Sequence, residues 1–166
     1  MLEALAEEIR KRTSLVCEWN PTLISLRDPA VVLTPETLEF ELEGEARVEG
    51  VWHYTAALTL KATLTGEGPR GPEFLAEMME ASFRVGLLFL EPWSFPLGGG
   101  IEATFAASRT AKGRFFALEE EEGEGPFLYE EVWDGKLVFP VTVSREAGRL
   151  SLVAPGWPIE IKTGGA

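Results

Sequence analysis

Few residues in this chain have chemistry to offer. His53 is the only histidine and Cys17 the only cysteine. Nucleophilic catalysis needs an activated Ser, Cys or Thr beside a base, and His53 falls on the wetter parity of an alternating stretch, far from Cys17 in sequence. His53 therefore reads as a structural or exposed histidine. Cys17 reads as a small apolar packing residue, and a lone cysteine rules out an internal disulfide and a cysteine-based zinc site. Gly98-Gly99-Gly100 is followed neither by Lys-Ser/Thr nor by a helical pattern, so it is a flexible turn and not a phosphate cradle. The acidic run at residues 119–124 lacks the alternation of carboxylates with carbonyls that calcium favours; it reads as a solvated tip. Carboxylate pairs of the glycosidase kind can come from anywhere in a chain, and nothing here singles one out. The aromatic set Trp93, Phe95, Trp133, Phe139 and Trp157 suits a core or an interface better than a ligand pocket. The residues thus assign no catalytic group, no metal ligand and no cofactor, and the expectation is a protein that is not an enzyme.

The bulk composition narrows the choice further. The 166 residues suffice for one domain with a real core, taken as residues 1–166. A net charge of −12 argues against ordinary nucleic-acid binding, which needs clustered Lys and Arg. The same charge suits either plain solubility or a surface past which DNA slides without sticking. Glutamine is absent and Asn20 is the only asparagine, a depletion of thermolabile amides that points to a thermophilic source. No run of about twenty apolar residues predicts a membrane span. The first residues carry acids and lack the apolar stretch of a secretory signal, so the expected setting is the interior of a cell or a particle assembled there.

The elements that must carry any surface are clearer. Residues 46–65 alternate almost without a break: Trp52, Tyr54, Ala56, Leu58, Leu60, Ala62 and Leu64 share one parity, His53, Thr55, Thr59, Lys61 and Thr63 the other. A period of two means a strand with one buried and one wet face. At about 3.3 Å per residue, residues 52–65 alone span roughly 45 Å, against a body about 40 Å across. Such a strand must wrap around the globule or project from it. Residues 37–43 alternate as well, with Leu38, Phe40 and Leu42 inward, and Gly44-Glu45 joins the two runs into a long hairpin; Gly50 suggests a bulge in its second arm. Residues 1–12 form an amphipathic helix with Glu7 and Lys11 paired at i,i+4. Asn20-Pro21 is a turn between short apolar pieces at residues 15–19 and 23–26, and residues 30–33 are a buried strand. After Pro72, the residues Phe74, Leu75, Met78, Met79, Ser82 and Val85 define a second helix, to Val85 or Phe89, with the methionine pair as core filler. Residues 92–100 read as a loop, residues 101–107 as a strand, and residues 114–119 as a strand paired with 127–133. Asp134-Gly135 reads as a hairpin turn into a strand at 137–143. Residues 150–153 are a last strand, with 157–161 on the surface. The fold class is α+β: a mostly antiparallel sheet, a long projecting hairpin and two amphipathic helices packed on one face.

That order of elements resembles the tail terminator (tail-completion, neck) proteins of long-tailed bacteriophages. The resemblance is carried by the helix at residues 2–9, the Pro-Ala-Val-Val strand at 29–33, the hairpin at 37–65, the helix at 73–85 and the strands from 101 onward. It covers roughly residues 1–110, and the strands at 113–162 are added to the pattern. The resemblance implies a virion protein, assembled in the host cytoplasm, that forms a homo-oligomeric ring, a hexamer in that family. The ring ends tail-tube polymerisation and offers a surface to the head-connector protein. Duplex DNA passes through its acidic lumen without specific binding. In this ring Glu39, Glu41, Glu43, Arg47, Glu49, His53 and Thr55 are the candidate intersubunit or lumen face, and the long strand gains its missing partners from a neighbour. The rival from another class is a small-molecule carrier with a cavity lined by Trp52, Tyr54, Phe83, Phe105 and Trp133. A hydrolase ranks third, and another neck or tube component would share nearly every feature.

Overall fold

The computed structural model describes residues 1–19, 28–42, 51–120, 123–146, 149–154 and 157–161, with side chains for 1–19, 28–42, 51–118 and 125–143. Among the described residues, two helices and nine strands form a mixed α+β fold with a curled, mostly antiparallel sheet. Helix α1 (Leu2–Thr13) buries Leu5, Ala6, Ile9 and Thr13. Glu3 in its first turn and Arg10, Lys11 and Arg12 in its last oppose the helix dipole. The expected Glu7–Lys11 pair is present at 3.3 Å. Ser14 closes the helix in the left-handed conformation, donating its N–H to the Arg10 carbonyl. Short β1 (Val16–Glu18) follows and lies parallel to the start of β2 (Ala30–Leu42).

The sheet is built on two long strands. β3 (Val51–Gly68) runs antiparallel to β2 on one side and, along its full length, to β7 (Gly123–Glu146) on the other. At about 3.3 Å per residue, an 18-residue β3 extends roughly 60 Å. The long ribbon is therefore the middle of its own sheet. The expectation that β3 waits for a neighbouring subunit to complete it is not met, because β7 supplies that partner within the chain. The opposite edge of β7 is shared in succession by β6 (Lys112–Glu120), β5 (Ile101–Ala107) and β8 (Arg149–Ala154), and β4 (Trp93–Gly98) and β9 (Trp157–Ile161) complete the outer positions.

β2 changes parity along its length, and a bulge absorbs the change. Val31 and Leu33 face the core at one end, whereas Leu38, Phe40 and Leu42 take that face at the other. The register slips between Pro35 and Thr37, so the extra residue returns the apolar set to one side of the sheet. Three sequence expectations need correction. Asp134-Gly135 is no turn: β7 passes straight through it, and Gly135 lies under the ring of Phe105, where a Cβ would come within 2.8 Å. The dipeptide marks the point where the edge partner of β7 changes from β6 to β5; Ser108 bridges the change by donating its N–H to the Asp134 carbonyl at 2.8 Å. Residues 93–98 form strand β4 instead of a loop, and residues 157–161 pair with β8. The glycines at 98–100 do form the turn, all at positive φ. The 20–21 turn, the piece at 23–26, and the turn and bulge at 44–50 lie outside the described residues.

Helix α2 (Pro72–Leu88) starts with Pro72 in its first turn. It packs on the same face of the sheet as α1, because Gly66 and Gly68 on β3 leave room for Met78 and Phe74. Both helices join one cluster with Leu60, Ala62, Leu64, Phe89, Phe105, Trp133 and Leu137. Its aromatic centre is tight: Phe89 lies 5.3 Å from Phe105 and 5.6 Å from Trp133, centroid to centroid. Arg12 of α1 stacks over Trp93 of β4 at 4.5 Å, tying helix to hairpin.

Candidate interaction surface

The end of the sheet formed by the last residues of β2 and the first of β3 has two unlike faces. On the outer face, Glu39 stands opposite Ala57 and Glu41 opposite Thr55. His53 follows two residues along β3 and faces Thr142 of β7, with its Nδ1 3.2 Å from Thr142 Oγ1. The fold thus brings Glu39, Glu41, Thr55 and His53 onto one surface, with both glutamates and His53 exposed. Glu43, Arg47 and Glu49 lie outside the described residues. On the other face, Leu38, Phe40 and Leu42 continue the core side of the sheet past the cover of its own body. They are 42%, 49% and 47% exposed, although their cross-strand partners Leu58 and Ala56 are buried. Periodicity placed these three on the correct side; it could not say that they stand half-exposed there.

Sequence reasoning missed a second apolar surface. Leu75, Met79, Phe83 and Leu87 run along the far side of α2, and Leu90 continues the line just beyond it, all 44–66% exposed. The spacing of four residues was a legible signal. Met78 is core filler as expected, but Met79 faces outward.

Cys17, Glu131 and Tyr129 are packed into the body of the protein. Cys17 is buried, and burial pushes its thiol up to about 12, against the opposing pull of Arg10. Arg10 itself donates to the Cys17 carbonyl at 2.8 Å and bridges Glu3 and Glu18. Buried Glu131 accepts a hydrogen bond from Tyr129 at 2.9 Å. Burial first, then that bond, pushes the Tyr129 hydroxyl up to about 12. Among the described residues no group of three His, Cys, Asp or Glu side chains is placed to hold a metal ion. No helix among them is long and apolar enough to cross a membrane.

The aromatics proposed for a carrier cavity do not converge. Phe83 lies on the outer side of α2, 66% exposed, while Phe105 and Trp133 are packed solidly on Phe89 beneath the helix. Of the core set, Phe95, Trp133 and Phe139 are buried and Trp93 half-buried, in keeping with the sequence reading; the Trp157 side chain lies outside the described residues. Compared with known proteins, the chain matches no protein-family model, and no curated protein is significantly similar to it.

Proposed function

We propose that this protein is a structural virion subunit of the tail-terminator kind. It forms a closed ring, a hexamer by the resemblance stated above, that ends tail-tube growth and presents a docking surface to the head connector. Duplex DNA passes through the lumen. One observation carries the reading: the sheet outruns the body that should cover it, leaving Leu38, Phe40 and Leu42 half-exposed on the core side. A long apolar sheet end of this kind invites association and is costly to leave wet. Its reverse side carries Glu39 and Glu41, which suits a surface that repels phosphate. The contact between subunits is then one of faces, since β3 already has both its strand partners.

Native mass spectrometry and light scattering at micromolar concentration test the reading, followed by cryo-microscopy class averages. The expected result is a closed ring that caps purified tail tubes. A monomer that binds neither tail-tube nor head-connector protein overturns it.

A further inference from the structure

Helix α2 is apolar on two sides, and only one of them is used within the protomer. Phe74, Met78, Ala81 and Val85 face the sheet; Leu75, Met79, Phe83, Leu87 and Leu90 face away from it, 44–66% exposed. Glu73, Glu77 and Glu80 occupy the remaining sector, with Arg84 paired to Glu80. Five large side chains in line make a contiguous exposed apolar patch, of the kind that marks a binding surface on a monomer. Gly86 lies within the stripe. A Cβ there would meet nothing within 4 Å among the described residues and its φ is not positive, so nothing among them calls for glycine at that point. Glycine weakens a helix interior, and its usual compensation is the close approach of another surface.

A receiving surface exists on the opposite side of the same sheet. The outer face of β6 and β7 holds an open groove of about 630 Å³ whose apolar lining includes Phe116 and Val132. Lys112 and Arg114 line it from β6, Glu130 and Asp134 from β7. Lys136 continues the same face one step along β7. The β6 wall of the groove is thus basic and its β7 wall acidic, two cations against two acids, in a chain whose net charge is −12. The α2 rim is acidic, three acids to one cation, and so complements the β6 wall.

The geometry points to a head-to-tail contact in which the outer stripe of α2 in one copy seats in the β6–β7 groove of the next copy. It rests on the ring reading above and adds which faces meet. The two surfaces lie on opposite sides of the sheet, so no copy satisfies its own, and one repeated rotation that divides a full turn makes a ring. The apolar stripe meets Phe116 and Val132, while the acidic rim meets Lys112, Arg114 and Lys136.

Two single variants and their mixture test the contact. Phe83→Glu spoils the stripe and Val132→Glu the groove; both positions are exposed, and circular dichroism with thermal melts checks that the fold is kept. Met79→Glu and Phe116→Glu replace either variant that fails to fold. Each variant alone is expected to be monomeric, with association weakened at least a hundredfold. An equimolar mixture is expected to give a one-to-one dimer and nothing larger, because one intact stripe and one intact groove remain. If the wild-type protein is itself monomeric, the ring reading and this contact fall together. If the wild type assembles and either folded variant still does so, this contact is wrong and the ring reading stands. If Val132→Glu alone forms dimers, the stripe meets another stripe and the groove has no part.

Discussion

Replacing Gly135 by alanine tests whether β7 truly runs through the Asp134-Gly135 dipeptide. A Cβ at Gly135 would lie 2.8 Å from Phe105 Cε2, 2.9 Å from Cζ and 3.2 Å from Leu60 Cδ1. Phe105 has little freedom to move aside: it is fully buried, with Phe89 at 5.3 Å and Trp93 at 5.6 Å from its ring centre. Overpacking of this kind costs about 1–3 kcal/mol, and reduced freedom of the unfolded chain offsets about 0.4–1 kcal/mol of that. The expected net loss is about 1–2 kcal/mol, a drop in Tm of roughly 2–8 °C for a chain of this size. Urea and thermal melts measure it. In a Phe105→Leu background the shorter side chain leaves room for the methyl, so the cost of Gly135→Ala should almost vanish, a coupling of about 1 kcal/mol or more. A hairpin turn at this point predicts a different pattern, since its penalty would arise from a backbone with positive φ and be indifferent to Phe105. A wild-type Tm for Gly135→Ala, or an equal cost in both backgrounds, refutes the packing argument.

Other outcomes follow from the same geometry. The unfolded Tyr129 phenol ionises near 10 and the folded one at about 12, so the unfolded chain sheds its proton first as pH rises; stability intact below pH 10 should fall by up to about 1.4 kcal/mol per pH unit toward pH 12. Urea melts across that window should be shallower in their pH dependence for Tyr129→Phe, and an equally steep profile counts against the assignment. Cys17, buried and with its thiol pushed up to about 12, should react with a thiol reagent only as fast as the chain opens; labelling of native protein at the rate of a free thiol would contradict this. Glu39→Lys with Glu41→Lys should leave the mass of the assembly unchanged yet make it retain duplex DNA in a strongly salt-dependent way. Absence of DNA binding in the intact double variant removes these residues from the lumen.

Much of the fold was legible because period-two and period-3.6 patterns are local. The long alternation through Leu64, both helices and the pairing of residues 114–119 with 127–133 all came from neighbours in sequence. The errors share one cause. Asp134-Gly135 has the composition of a turn, but the ring that makes glycine necessary belongs to Phe105, distant in sequence. Residues 93–98 look like a loop because of Pro92 and Pro96, yet an edge strand tolerates proline, and β4 is an edge. The site was less legible than the fold. Glu39, Glu41, Thr55 and His53 share a face as their parity required, whereas the exposure of Leu38, Phe40 and Leu42 depends on where the body ends. Met79 is core filler in the sequence reading because apolar spacing states that a helix face shuns water, not which partner covers it.

The distribution of charge and proline over the sheet says what kind of contact the chain can make. Past β1, the outer edge of β2 has no strand partner among the described residues, and it carries Pro35, Glu36, Glu39 and Glu41. β4, at the other end of the strand order, contains Pro96. Proline removes a ladder donor and acids resist a second edge, so both devices discourage open-ended strand addition. Three groups of uncovered apolar side chains lie on faces instead: on the core side of the β2 end, on the outer side of α2, and on β6 and β7, where Phe116 and Val132 stand exposed. Edge-to-edge pairing extends a sheet without limit, whereas head-to-tail association through faces gives a ring where the rotation between copies closes and an open helix where it does not. A chain that guards these two edges and leaves apolar faces bare is suited to association through its faces rather than its strands.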